Sequence, residues 1–483
     1  MEQNTRGQWG STFGFLMAAV GSAVGLGNIW GFPYKMGKNG GFAFLIVYLC
    51  LVVLVGIVVM LGELALGRKT GLSPIGAYRA LSNKYTIFGW FAVIAPFLIL
   101  CFYCVLGGMV LRYMVGFFVT IFGADGFSGQ GSDFFGWLLY SDSTMLVFFA
   151  IFMVINMIIV MGGVSGGLER FAKVAMPALF VMLIIVIVYV AVQPGAGDGY
   201  KFMFAPDFSV FSDPDIGFFS VLKTAAGQMF FSLSLGMGIM ITYGSYLPKH
   251  ESIQKNSFII PACDTLIAIM AGMMVMPACA AFGVDYGRGP GLLFASMQNV
   301  FLDGMGGVAG GIMGFLFYFL VFIAAITSSI SLLEACTSTA IDSRLKKNPN
   351  ASPNRKKYTT ILTIAIFILG IPVALDALGS GGATIKAPFE LLGLEAGGAG
   401  YAMWNDCWLD FYDMISEGIL MPLGALCMSV IFGWFVKPKF VYDECREGGK
   451  VFKGETYYNI CFKVIVPIIM IVVLYAQVMD FFG

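Results

Sequence analysis

The stretches 41–61, 146–161, 174–192 and 361–375 contain no charged residue. A helix that crosses a bilayer needs roughly 20 mostly apolar residues at 1.5 Å rise each, and these runs reach that length alone or with their flanks. Only 12% of the chain is charged, against about 25% in an average soluble domain. That is too little to coat a water-facing surface of 483 residues. The pattern predicts an all-α polytopic membrane protein with about eleven spans, near 11–38, 41–68, 87–122, 143–162, 168–192, 217–246, 256–284, 310–344, 358–376, 410–436 and 457–481. The first is not expected to be a cleaved leader. It mixes glycine and polar residues into its length, with no short apolar core ending at a small-residue cleavage site.

Basic residues set the orientation, because Lys and Arg stay on the cytoplasmic side. With the N-terminus inside, Arg68, Lys69, Lys249, Arg344, Lys346, Lys347, Lys437 and Lys439 fall in cytoplasmic segments. Asp125, Asp133, Asp142, Asp198, Asp207, Asp213 and Asp215 then fall outside. An odd number of spans leaves the C-terminus outside. Residues 193–216, 285–309 and 377–409 are expected to be long outside loops. No soluble domain is predicted, and the zero net charge carries no message about partners; none that is a nucleic acid is expected. The single histidine, His250, falls in a cytoplasmic loop, which argues against nucleophile–histidine catalysis within the spans. Cys101 and Cys104 form a C-x-x-C without a second pair, better read as packing than as a metal site. No repeated filter motif suggests an ion channel.

Two segments are poor material for a continuous helix. Gly21-Ser-Ala-Val-Gly-Leu-Gly-Asn28 lies within span one and Ser232-Leu-Ser-Leu-Gly-Met-Gly238 within span six. Each carries a G-x-G in mid-membrane, and glycine costs a helix about 1 kcal/mol relative to alanine. Close packing through small residues is the competing reading, and Gly21 and Gly25 fit it. Position favours a break. Spans one and six hold the same place in two successive sets of five, the pattern of an inverted repeat with its site at the midplane. The repeats would cover 1–195 and 217–436, with 457–481 as an eleventh helix. Asp264 stands out as the only charge between Phe258 and Phe282. A charge at the bilayer centre costs at least roughly 2.5–3.5 kcal/mol, so it needs a partner or a function, unless it sits near enough to the inner end to reach polar surroundings.

These segments resemble the neurotransmitter:sodium symporter family. The likeness begins at Trp9-Gly-Ser, runs through Gly21 to Pro33 and Asn39-Gly-Gly, and includes Gly62-Glu63 and Gly67-Arg68. It returns in Gly227 to Gly238 and in Ala324-Ala-Ile-Thr-Ser-Ser329, so it spans essentially the whole chain. The resemblance implies two sodium sites. One would use the Ala23 carbonyl, Asn28, Ser232 and Asp264 together with the substrate's carboxylate. The other would use the carbonyls of Gly21, Val24 and Ala324 with the hydroxyls of Thr327 and Ser328. Oxygen ligands suit a hard cation, although hydroxyls in spans also serve as helix–helix hydrogen bonds. The substrate would lie among Ser22, Leu26, Gly27, Ile99, Tyr103, Phe231, Ser234, Met237, Ser328 and Leu332. Tyr103 and the backbone near Leu26 and Gly27 would hold its carboxylate; read alone, the two aromatics are ordinary core.

The same resemblance implies gates. Arg6 and Asp342 match an inner salt bridge, with Trp9 as a plug. Asp413 matches the acid of the outer pair, but its usual Arg partner is replaced by Gly31; Lys35, one helical turn on, is the candidate substitute, the alternatives being a water-mediated gate or an Asp413 that meets part of the substrate. Glu63 is expected against the backbone of the two breaks. Amine-carrying relatives place an Asp where this chain has Gly25, so the substrate should bring its own carboxylate. The apolar residues Ile99, Phe231, Met237 and Leu332 point to hydrophobic amino acids, aromatic ones included. Many animal members require chloride; a carboxylate at Asp264 would supply that negative charge instead. The resemblance thus implies a sodium-coupled symporter of the cell membrane, not an enzyme, working by alternating access. The alternative is an amino-acid sensor on the same scaffold.

Overall fold

The helices of this computed structural model follow the apolar runs closely; it describes residues 8–283, 286, 291–348, 353–380, 382–391, 393 and 406–482. Among the described residues nine helices are long and apolar enough to cross a membrane: Phe42–Thr70, Asn83–Ile121, Asp142–Met161, Val164–Ala191, Ile253–Phe282, Gly307–Lys347, Arg355–Gly379, Trp408–Phe435 and Glu455–Met479. A tenth span, the first in chain order, is bent by 50° between Thr12–Ala23 and Gly27–Lys38. The sixth span completes the eleven as two short helices, Gly217–Ser232 and Ile239–Gly244.

The two breaks have local causes. The Ser11 side chain caps the start of span one by accepting from the Gly14 N–H, and Val24 turns extended after Ala23. In span six Ser234, Gly236 and Gly238 all take positive φ, which no right-handed helix accommodates. Glycine is needed at two of them for space as well. A Cβ on Gly236 would come within 2.5 Å of the Met421 carbonyl oxygen, and one on Gly238 within 2.7 Å of that of Ala92. The freed Gly236 N–H donates to Glu63 Oε1 at 2.8 Å. This buried carboxylate of span two thereby satisfies backbone that no lipid could.

Elsewhere small residues let helices approach. A Cβ on Gly314 of span eight would lie 2.3 Å from the Phe117 ring of span three, and Tyr113 stacks on Tyr318 across the same seam at 5.0 Å. The expected outside loops are partly helical. Ala196–Phe204 and the turns from Leu292 to Met305 form short helices, because each has apolar side chains to bury. Met203 packs at Gly272, while Phe294 and Phe301 face Tyr113 and Phe117. Much of 285–290 and 392–405 lies outside the described residues.

The helix Lys439–Arg446, which follows span ten, carries a buried ion cluster that composition did not announce. Glu444 Oε1 meets Arg68 Nε and Lys249 Nζ, both at 2.8 Å, and Lys69 lies 3.4 Å from the other oxygen. Arg68 also donates to the Glu251 carbonyl at 2.6 Å. Burial alone would raise the Glu444 carboxyl, but hydrogen bonds from Lys249 and Arg68 outweigh it and hold the group below its usual range. A lowered folded-state pKa contributes stability above the unfolded value, about 4.3, and loses it as pH falls through the folded value. Glu444→Gln is therefore expected to cost about 3 kcal/mol near neutral pH by leaving the buried Arg68 guanidinium uncompensated. The deficit should shrink as pH is lowered below ~4, measured as thermal unfolding midpoints across a pH series.

Candidate ion- and substrate-binding site

The breaks of spans one and six meet at a buried polar centre. Asn28 Nδ2 donates to Asp264 Oδ1 at 2.7 Å and to Ser232 Oγ at 2.9 Å. Ser232 Oγ donates to Asp264 Oδ2 at 2.8 Å, and the Asn28 carbonyl accepts from the Gly25 N–H at 3.0 Å. All three side chains are buried. No Lys or Arg among the described residues bears on Asp264. A carboxylate held by dipoles alone in a bilayer interior is costly, so the cluster has the chemistry of a cation site that lacks only its positive charge.

A second group of oxygens lies where span eight crosses the span-one break. Ser328 Oγ is 3.4 Å from the Gly21 carbonyl oxygen and 3.3 Å from that of Val24. Thr327 Oγ1 is 3.0 Å from the Ala324 carbonyl and 3.4 Å from that of Val24. Hydroxyls and exposed carbonyls gathered in this way can coordinate a hard monovalent cation by turning their lone pairs inward.

Beside the two groups lies a tight cavity of about 20 Å³. Its walls hold every expected substrate residue except Leu26: Ser22, Gly27, Ile99, Tyr103, Phe231, Ser234, Met237, Ser328 and Leu332, joined by Ala23 and Gly25. Leu26 contributes backbone instead, its N–H donating to Tyr103 Oη at 3.0 Å. Polar groups cluster at the break: Ser234 Oγ donates to the Ser22 carbonyl at 2.9 Å. Ile99, Phe231, Met237 and Leu332 form the apolar remainder.

The gate residues are arranged differently from the sequence expectation. Lys35 pairs with Glu417 at 3.2 Å, not with Asp413, which lies one turn earlier and within electrostatic range of both. Glu417 projects from a wide helical turn, Met414–Leu420, that brings it to Lys35. At Gly31, a Cβ would sit 3.1 Å from Gln228 Oε1, an oxygen left without a hydrogen-bond partner; the amide nitrogen of Gln228 donates to the Gly27 carbonyl at 2.8 Å. On the opposite side Trp9 Nε1 donates to the Tyr243 carbonyl at 3.1 Å. Asp342 accepts from the Ser73 N–H at 2.7 Å, and Arg6 lies outside the described residues.

This geometry can be set beside known proteins. The profile of the Sodium:neurotransmitter symporter family matches residues 6–123 and 141–389. An uncharacterized sodium-dependent transporter of Bacillus subtilis is 34% identical over 96% of both chains. One of Haemophilus influenzae is 31% identical over 97% of both. The chain belongs to the sodium:neurotransmitter symporter family. The transporter is also similar to the crystal structure of MhsT in complex with L-phenylalanine, with a TM-score of 0.82 and 34% identity over 98% of this chain and 100% of that one. The family comprises sodium-coupled transporters rather than enzymes.

Several residues at the transporter's site escaped sequence reasoning. Tyr48 Oη reaches Asp264 Oδ2 at 3.5 Å, and Asn156 fixes Ser329 through its side-chain carbonyl at 2.5 Å. Both are polar groups within apolar runs, the one signal that could have flagged them. Gly25 gives a direct test of the cavity. A Cβ there would lie 2.5 Å from Ser328 Oγ and 2.7 Å from Tyr103 Oη. Gly25→Ala is expected to abolish amino-acid binding while leaving the unfolding midpoint within a few degrees of wild type, measured by equilibrium binding and thermal unfolding.

Proposed function

We propose that the chain is a sodium-coupled symporter of hydrophobic α-amino acids, aromatic ones included, that needs no chloride. The observation that carries this reading is the buried Asp264–Asn28–Ser232 cluster without a protein cation, beside a cavity whose far wall is apolar. Sodium bound there completes the charge, and the substrate carboxylate adds a further ligand from the cavity side. Ala23 supplies a carbonyl to this first ion. Gly21, Val24, Ala324, Thr327 and Ser328 hold a second. Tyr103 Oη and the amides near Leu26 and Gly27 hold the substrate carboxylate, while Ser22 and Ser234 lie beside its amine. With Gly25 in place of an acid, nothing in the wall balances an amine that lacks a carboxylate. A pocket of this kind separates apolar side chains weakly, by about 1–3 kcal/mol per methylene. The phenylalanine complex of MhsT supports an aromatic occupant.

The N-terminus faces the cytoplasm and the C-terminus the outside. The halves 1–195 and 217–436 rock about the shared site, and Glu63 ties the span-six break to span two as they move. The outer gate closes through Lys35 and Glu417 with Asp413 in support. The inner gate closes through Trp9, with Arg6 and Asp342 as its salt bridge. Because Lys offers a point charge rather than the fork of Arg, the outer latch is weak. Glu417→Gln is expected to speed release of bound amino acid toward the outside several-fold, read by stopped-flow dissociation; an unchanged rate would remove Glu417 from the gate.

Uptake into proteoliposomes tests the function. An inward sodium gradient should drive accumulation of leucine and phenylalanine, with little change when gluconate replaces chloride. Labelled amino acid should also exchange against unlabelled substrate. Collapse in gluconate would refute chloride independence, and sodium-dependent binding without exchange would favour a sensor.

A further inference from the structure

Spans four, five and eight do not close against one another along their full height. A groove of about 590 Å³ opens between them, walled by Ile158 of span four, Gly166, Val174 and Ala178 of span five, and Phe322 of span eight. Its glycines create the space: a Cβ on Gly166 would touch nothing within 4 Å. Both flanking helices are outer spans, and Val174 and Ile158 are 73% and 62% exposed, so the groove faces the bilayer.

A guanidinium sits part-way along the groove, with Gly162, Gly166 and Gly167 on its loop side and Val174 and Ala178 on its inner side. Arg170 lines it at the start of span five, is exposed, and has no carboxylate partner among the described residues. The neighbouring Glu169 is committed elsewhere. It accepts from the Gly10 N–H at 2.6 Å and from Ser11 Oγ at 3.0 Å, and pairs with Lys173 at 2.6 Å. Arg355, at the start of span nine, is likewise tied to Glu334 and to the Val160 carbonyl. Arg170 is thus a free fork of donors at the level where the helix leaves the membrane, with an apolar slot running inward from it.

We propose that this groove binds one anionic phospholipid, its phosphate on Arg170 and one acyl chain laid along Val174 and Ala178. The dimensions favour a lipid over a protein helix. Inward of Arg170 the groove follows span five to Ala178 for about 12 Å at 1.5 Å per residue, within the roughly 15 Å of a single leaflet, and its whole lining from Gly162 to Ala178 runs about 24 Å, short of the roughly 30 Å of the bilayer core. A partner helix would need the full height of the bilayer. Charge complementarity favours an anionic headgroup, since basic pockets between spans bind phosphate groups that a zwitterionic neighbour partly shields. The inference rests only on the bilayer location and is independent of what the protein transports.

Native mass spectrometry of the full-length, delipidated protein, titrated in detergent with phosphatidylglycerol or phosphatidylcholine of equal chain length, tests this. One phosphatidylglycerol is expected to bind about fivefold more tightly than phosphatidylcholine, the size of one basic residue's pull on an anionic headgroup. Arg170→Gln should equalise the two. Val174→Trp, at a position 73% exposed, should weaken both. Ala178→Phe is a second filling variant should the first unfold, and thermal unfolding checks that each variant is intact. Equal affinities in wild type, or a preference that survives Arg170→Gln, would overturn the headgroup contact. Unchanged binding in both filling variants would overturn the groove.

Discussion

A buried carboxylate with no Lys or Arg beside it among the described residues, Asp264, is the constraint around which the rest of the molecule is organised. Its two oxygens take hydrogen bonds from Asn28 and Ser232, but dipoles do not neutralise a charge that the bilayer disfavours. Supplying the missing charge from solution makes the site's occupancy depend on an ion, and couples that ion to whatever else enters the cavity. By linkage, an amino acid whose carboxylate touches the ion tightens ion binding by the same factor that the ion tightens amino-acid binding. On the proposed reading, coupled transport follows from one unbalanced residue placed beside a pocket.

The broken helices are what allow that placement. Continuous spans would present only side chains at mid-membrane. Unwinding at Val24–Gly25 and at Leu233–Gly238 exposes the carbonyls of Gly21, Ser22 and Val24 and frees N–H groups. Such backbone is stable in lipid only when protein satisfies it. Glu63, Gln228, Tyr103 and Ser234 each do so for a particular group. The supporting shell therefore comes from spans two, three and six, and two of its side chains, Tyr103 and Ser234, also line the cavity.

Features set by local composition were legible in the sequence. The spans are visible because a bilayer forbids charge over roughly 20 residues, and the breaks because G-x-G is a poor helix wherever it falls. Asp264 could be singled out because it is alone among apolar neighbours. The unreadable parts are pairings made across the fold. Lys35 meets Glu417 rather than Asp413 because a widened turn at Met414–Leu420 rotates the face of span ten, and no spacing rule reports that. Glu444 looks like one of several loop charges until Lys439–Arg446 folds against Arg68. The short outer helices were read as loops because their apolar residues, such as Met203, are too few to show a period and become buried only against another span.

Equilibrium binding of L-phenylalanine and L-leucine to the purified protein, with sodium exchanged for potassium at constant ionic strength and Asp264→Asn measured alongside, tests the central claim most directly. The account predicts binding that rises with sodium, disappears in potassium, and loses much of its sodium sensitivity in Asp264→Asn. Binding of equal strength in sodium and potassium would contradict it, because Asp264 would then not be waiting for an ion.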